Sequence, residues 1–233
     1  MRRGVLSDRK GLSFARAFTE NGICPFSREN FSANLAQMFA KIYSAAVFGV
    51  DAYEVEIEVN SAGGLPAIVV VGLPDAAVKE SKDRVTTAIT NSGYYWPRGR
   101  TTVNLAPADI KKEGPSFDLP IALGMIACSQ ETDTAAFAQY SFVGELALDG
   151  AVRAVKGVLP VAIEARKRGK KALFVPAANA QEAAMVKGIA VYGVRNLRET
   201  FRFFAANAPF SPPAAISINS SRPIKATTSI SRM

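Results

Sequence analysis

Ser116 is the residue of this chain whose type and placement suit covalent chemistry. It stands in Lys111-Lys-Glu-Gly-Pro-Ser-Phe-Asp118, after a segment that reads as a strand and just ahead of a strongly apolar one. A hydroxyl at that place lies beside the backbone N–H groups of a helix start, which can hold an oxyanion. It becomes a nucleophile only if a base removes its proton. The chain has no histidine, which excludes every Ser-His and Cys-His arrangement and the usual zinc ligand. A lysine with a lowered pKa is the remaining kind of base. Lys111 and Lys112 are near in sequence, but the Gly114-Pro115 turn works against a useful dyad. Asp118 is expected to cap the apolar helix by accepting backbone N–H bonds, worth ~1 kcal/mol.

Three other groups have chemistry to offer. In Tyr94-Tyr-Trp-Pro-Arg-Gly-Arg100, aromatics interleaved with arginines can stack on bases and pair with phosphates, with Trp96, Arg98 and Arg100 as the named contacts. The alternative is a helix-to-strand connection whose aromatics cover the edge of the core. Arg166-Lys-Arg-Gly-Lys-Lys171 falls at a helix C-terminus, where cations offset the helix dipole. It reads as a solvated helix end rather than a phosphate site. Glu54, Glu56 and Glu58 share one face of a strand; same-face neighbours are ~7 Å apart and no further ligands accompany them, so the face is read as solvated. Cys24 and Cys128 are too few for a disulfide framework or a zinc site, and Cys128 reads as a small core residue.

The formal charge of +8 divides unevenly. Residues 1–37 carry six basic and three acidic side chains, residues 206–233 three basic and none acidic, and residues 38–205 nineteen basic and seventeen acidic. The excess sits mainly at the ends, so the global charge says little about nucleic-acid binding by the patterned middle. No apolar stretch reaches the ~18 residues of a membrane span, residues 1–37 lack an apolar signal core, and a reducing cytoplasm is the expected location.

The elements that must position these groups follow from periodicity. Ile42–Phe48 and Tyr53–Val59 read as strands about the turn Gly49-Val-Asp51, with Val55, Ile57 and Val59 alternating against the glutamates. Ala67–Val71 is a β-branched strand. Gly72-Leu-Pro-Asp75 opens a helix with a Val78, Val85 and Ile89 stripe that closes at Gly93. Thr101–Leu105 is a strand, and Leu119–Cys128 a helix apolar on nearly every side, which must be covered all round. Phe142–Leu148 and Ala151–Val155 read as a hairpin through Asp149-Gly150. Pro160–Arg168, Ala178–Val186 and Leu197–Phe204 read as helices, and Ala172–Val175 and Ile189–Tyr192 as strands. Strand-rich first and alternating afterwards, this is an α+β or two-layer α/β domain over 38–205. Residues 1–37 are expected to be a non-native or disordered extension, with Met38 the natural start. The Pro- and Ser-rich 206–233 are expected to be a disordered tail.

Several phrases line up in order: Lys41-Ile-Tyr-Ser-Ala-Ala-Val47, Gly64-Leu-Pro66, Val71-Gly-Leu-Pro-Asp75, Val78-Lys-Glu-Ser81, Asn91-Ser-Gly93, Val103-Asn-Leu-Ala-Pro-Ala-Asp109, Lys112-Glu-Gly114, Phe117-Asp-Leu-Pro-Ile121 and Gly144-Glu-Leu146. Together they resemble the N-terminal domain of the magnesium-chelatase-related AAA+ ATPases, the ComM/YifB family, over about Met38 to Phe204. The resemblance implies a Lon-protease-domain-like fold, of the superfamily that includes the second domain of a small-subunit ribosomal protein. It implies an AAA+ module following this domain, hexamerisation through that module, and a role in DNA branch migration during natural transformation, hence a DNA partner. This chain carries no Gly-x-x-x-x-Gly-Lys-Ser/Thr; ATP and magnesium would belong to the AAA+ module, and a truncated or frameshifted frame is expected to explain both ends. The fragment alone is not expected to hexamerise, to need a cofactor or to catalyse a reaction.

The resemblance also bears on Ser116. Lys112-Glu-Gly-Pro-Ser116 is similar to the Lon signature around its catalytic serine. The lysine of Lon-like domains follows a glycine beyond the Gly-Glu strand pair, where this chain has Gly157-Val-Leu-Pro-Val161 and no lysine. Phe117 and Asp118 replace the small residues expected after the nucleophile. Ser116 is therefore read as a vestigial nucleophile position, with a Ser-Lys peptidase and an autonomous nucleic-acid binder as the competing readings.

Overall fold

The computed structural model describes residues 39–130, 132 and 134–205, so the expected extension at 1–37, Met38 and the expected tail at 206–233 lie outside the described residues. It is a mixed α/β domain. β1 (Phe39–Phe48) and β2 (Asp51–Ala62) form an antiparallel hairpin in which Ile42 opposes Ile57 and Lys41 opposes Glu58. β4 (Arg100–Ala106) pairs antiparallel with β2, and β3 (Ala67–Val71) pairs parallel with β4, giving the order β1-β2-β4-β3. The two-residue alternation read in β2 decides which face is inside: Val55, Ile57 and Val59 are fully buried, as are Val103 and Leu105 beside them.

Two helices cover that inner face. α1 (Ala76–Asn91) turns in Val78, Val85, Ala88 and Ile89. It starts at Asp75, whose carboxylate accepts from the Val78 N–H at 2.8 Å. α2 (Asp118–Ser129) is buried at every residue from Asp118 to Cys128, as its all-round apolarity requires. Gly124 lets it close on the sheet, because a Cβ there would lie 2.7 Å from a methyl of Val59.

A second set of strands and helices follows the first in the chain. β5 (Tyr140–Phe142), β8 (Ala172–Pro176) and β9 (Ala190–Val194) form a parallel sheet in the order β5-β8-β9, and β6 (Glu145–Leu146) pairs with β7 (Val152–Arg153). α3 (Val158–Lys167) buries Val158, Val161 and Ala162 in a cluster with Ala45 and Ala52 of the first hairpin and Leu173 and Val175 of β8. α5 (Leu197–Ala205) closes the aromatic end, where Phe204 stacks on Phe137 with centroids 4.2 Å apart and Phe142 stacks on Phe174 at 5.0 Å.

Two expectations are corrected here. The run Phe142–Leu148 is not one strand of a hairpin: Phe142 belongs to the parallel sheet, while Glu145 and Leu146 pair with Arg153 and Val152. Gly144 is the break, and its N–H donates to the Ser116 carbonyl at 2.9 Å, so the chain turns there to bond the start of α2 rather than to continue a ladder. The helix read at Ala178–Val186 is a 3-10 turn, Ala177–Asn179, followed by a single α turn, α4 (Ala180–Ala183). Asn179 shows why: its side chain bonds the Val155 N–H and carbonyl at 3.0 and 2.9 Å, a tertiary tie that fixes the segment irrespective of helix length.

Gly72 is constrained both by its backbone angle and by a close approach. Its φ is +95° and a Cβ would lie 2.1 Å from the Leu105 carbonyl oxygen, a backbone atom that cannot swing away. Gly72→Ala is expected to cost more than about 2 kcal/mol, read as a lower urea midpoint at unchanged m-value.

Candidate functional site

The loops that surround Ser116 are built by cross-bonding between two distant phrases. Gly72-Leu-Pro-Asp75 lies against the segment that follows β4: the Lys112 N–H donates to the Leu73 carbonyl at 3.2 Å, and the Asp75 N–H to the Lys112 carbonyl at 3.0 Å. The second oxygen of Asp75 accepts from the Gly114 N–H at 3.1 Å. One carboxylate thus caps α1 and anchors the turn before Ser116. Leu73 is held at φ +55°, unusual for a residue with a side chain.

Lys112 is fully buried. Its ammonium donates to the carbonyls of Ile110, at 2.6 Å, and Pro107, and burial pushes its pKa down from the ordinary lysine value. Ser116 is half-buried, and its hydroxyl makes no hydrogen bond among the described residues, to Lys112 or to any other group. The helix start is committed elsewhere as well. The Asp118 N–H donates to Pro115 and the Leu119 N–H to the Gly144 carbonyl at 3.0 Å, so two of the donors expected to face an oxyanion are already in use.

Asp118 does not cap α2 with its side chain, contrary to expectation. It is the first residue of the helix, and its carboxylate turns away to accept two bonds from Arg84 of α1, at 3.0 and 3.2 Å, and one from the Leu146 N–H at 3.2 Å. An arginine reaching from another helix is invisible to local sequence reasoning, and it competes successfully because its bonds are charge-assisted. Full burial raises the Asp118 pKa to about 6, against the opposing pull of Arg84 and the Leu146 N–H, while Asp118 holds the Arg84 guanidinium more firmly charged. Arg84, Asp118 and Gly144-Glu-Leu146 thus fasten both helices to the β6–β7 hairpin.

The Tyr94–Arg100 connection joins α1 to β4. Tyr94 packs edge-on against Phe201 at 5.2 Å, and Trp96 lies half-buried against the core. Arg98 and Arg100 are exposed. Tyr95, one of the three aromatics of the segment though not among the named contacts, is 75% exposed, and its carbonyl accepts from Ser129 at 2.6 Å. Only packing shows which ring of the three is left outside. The second basic run is largely occupied within the fold: Lys170 pairs with Glu54 at 2.9 Å and sits 3.4 Å above the Tyr43 ring, Arg168 bonds Glu164, and Arg166 bonds the Lys187 carbonyl. Lys170 is therefore not part of a solvated helix end. The acidic face of β2 is matched by cations, with Lys41 at 2.8 Å from Glu56 and 3.8 Å from Glu58. Among the described residues no group of three or more His, Cys, Asp or Glu lies together where a metal ion could be held, and no helix is long and apolar enough to cross a membrane.

The protein family described as subunit ChlI of Mg-chelatase matches residues 57–179, more than half of the chain. The chain belongs to this family. Competence protein ComM of Haemophilus influenzae is 45% identical over 164 residues, 70% of this chain and 32% of the relative. DNA repair protein RadA of Bacillus subtilis is 37% identical over 93 residues, 40% of this chain and 20% of the relative. Lon protease 2 of the same organism is 24% identical over 196 residues, 75% of this chain and 34% of the relative. The chain spans about a third of the length of ComM. The ChlI-family match includes the cross-bonded loops, Ser116 and the Tyr94–Arg100 connection.

The Arg84–Asp118 pair yields a signed pH prediction. Asp118 binds its proton more tightly in the folded chain than in the unfolded one. Its contribution to stability is therefore present below about pH 4 and is lost as pH rises through about 6. Asp118→Asn is expected to flatten the wild-type decline across that window, and Asp118→Ala to remove it at a cost of about 1–3 kcal/mol for the buried Leu146 N–H left without its acceptor. Urea denaturation at a series of pH values checks both.

Proposed function

We propose that this chain is a non-catalytic module of a ComM-like, magnesium-chelatase-related AAA+ protein that works in DNA processing, the branch migration of natural transformation. On this reading the module has a Lon-like fold and contacts DNA, and ATP and magnesium act in the AAA+ module that follows it in the family. The cytoplasm is the location this implies. Family membership, the similarity to a competence protein and to a DNA repair protein, and the weaker similarity to a Lon protease support the reading.

The observation that carries the DNA part is the surface of the Tyr94–Arg100 connection. Tyr95 stands out of the fold with Arg98 and Arg100 exposed beside it, while Tyr94 and Trp96 anchor the segment. A ring held out on a fixed connection offers a stacking face, and two guanidinium groups offer phosphate partners. Trp96, the first stacking candidate, serves as part of the anchor and contributes at most its exposed edge.

Binding of single-stranded and branched DNA by the full chain tests this, followed by fluorescence anisotropy over a salt series. Tyr95→Ala is expected to weaken binding by about 1–3 kcal/mol. Arg98→Ala and Arg100→Ala are each expected to lower the salt slope by about 1. Unchanged affinity in all three variants would refute this surface.

A Ser-Lys peptidase centred on Ser116 is the second reading, favoured by one observation: a buried lysine, its pKa lowered by burial, stands four residues before a hydroxyl that makes no hydrogen bond among the described residues. The carbonyl partners of Lys112 support the non-catalytic reading instead. Treatment with a serine-reactive phosphonate is expected to leave the wild-type chain unlabelled. Labelling that disappears in Ser116→Ala would establish the peptidase.

A further inference from the structure

We propose that β3 is a docking edge for a second copy of this chain, the two β3 strands pairing antiparallel about a two-fold axis to join their sheets. β3 is the last strand of the four-stranded sheet, pairing with β4 on one side and with no strand on the other among the described residues. Alternate N–H and C=O groups of such a strand point outward without ladder partners, which makes it a template for another strand.

The core beneath this edge is left open. Val103 and Leu105 of β4 are fully buried, yet Ile68 and Val70, on the same inner face of the neighbouring strand, are only half-buried. On the outer face Val71 is 40% exposed, and Leu65 and Leu73 flank the strand at 87% and 54%. The backbone of Leu73 stands at φ +55°, with its carbonyl accepting from the Lys112 N–H while the Lys112 carbonyl accepts from the Asp75 N–H.

The chemistry of the edge selects its occupant. Residues 59–74 contain no charged side chain, and within Ala67–Val71 there is neither the lysine nor the proline that commonly guards an edge strand. An uncharged, β-branched edge fits an uncharged, β-branched strand, and a second β3 is one. A two-fold centred on Val69 sets Val69 against Val69, Ile68 against Val70 and Ala67 against Val71. Every cross-strand pair then places apolar against apolar on its own face, the arrangement that stabilises antiparallel ladders. A charged partner strand would have no counter-ion here.

Sedimentation equilibrium of the full chain over a concentration series up to about 1 mM tests the proposal. The expected result is a reversible shift from 24.8 kDa to twice that mass. Val69→Lys and Val69→Glu each set like charges against one another at the two-fold, and each is expected to weaken the dimer about tenfold or more. Their equimolar mixture is expected to recover it as a heterodimer. Val71→Lys, at an already exposed position, serves as the second variant should Val69→Lys lose its native circular dichroism; it too must weaken the dimer. A wild-type chain that stays at one-chain mass throughout, or a dimer indifferent to folded charge variants, overturns the proposal.

Discussion

An apolar helix with no polar side to show to water is the constraint around which the domain is arranged. α2 is buried along eleven consecutive residues from Asp118 to Cys128, so one sheet cannot satisfy it. The β1–β2–β4 face takes one side, α1 another, and Leu146, Phe137 and Phe142 of the second half lie in the same core. Burying such a helix supplies much of the hydrophobic driving force, at roughly 25 cal/mol per Å² of apolar surface removed from water. It also creates a liability, because the polar groups at the helix start are buried with it. Arg84, Leu146 and Gly144 meet that demand.

The same constraint shapes the reading of Ser116. A nucleophile at a helix start needs N–H groups that face the reacting atom and a base that faces the hydroxyl. Here the helix start is turned inward to hold the Gly144-Glu-Leu146 segment, and the buried lysine is turned to backbone carbonyls. Both groups act as fasteners of loops. Asp75 does similar work from the other side, joining α1 to the turn before Ser116. Four of the nine phrases that gave the family resemblance bond to each other in pairs: Val71–Asp75 with Lys112–Gly114, and Phe117–Ile121 with Gly144–Leu146.

Two of the exposed features stand on backbone that the fold holds in place. Tyr95 projects from a segment anchored by Tyr94, Trp96 and Gly99, the last so close to the Ala62 carbonyl that a Cβ would lie 1.9 Å from it. Leu73 projects from a loop locked by backbone bonds. Ordering cost on binding is small where a contact residue is already fixed. The acidic strand face, by contrast, is paired within the fold by Lys41 of β1 and by Lys170 of the second basic run.

Local periodicity determined the inward set of β2, the burial of α2, the stripe of α1 and the turn glycines, because each depends on spacing along one element and on whether a side chain prefers water. It also excluded histidine chemistry and a P-loop outright, since absence of a residue type needs no coordinates. Tertiary structure alone decided that Asp118 takes Arg84 rather than capping its helix, that Phe142 and Leu146 belong to different sheets, and that Tyr95 rather than Trp96 faces outward. It alone decided that Lys112 is spent inside and that β3 is the last strand of its sheet among the described residues. Each of those outcomes is a competition between partners far apart in the chain. Its winner is set by which groups folding brings within hydrogen-bond reach, and no spacing rule carries that information.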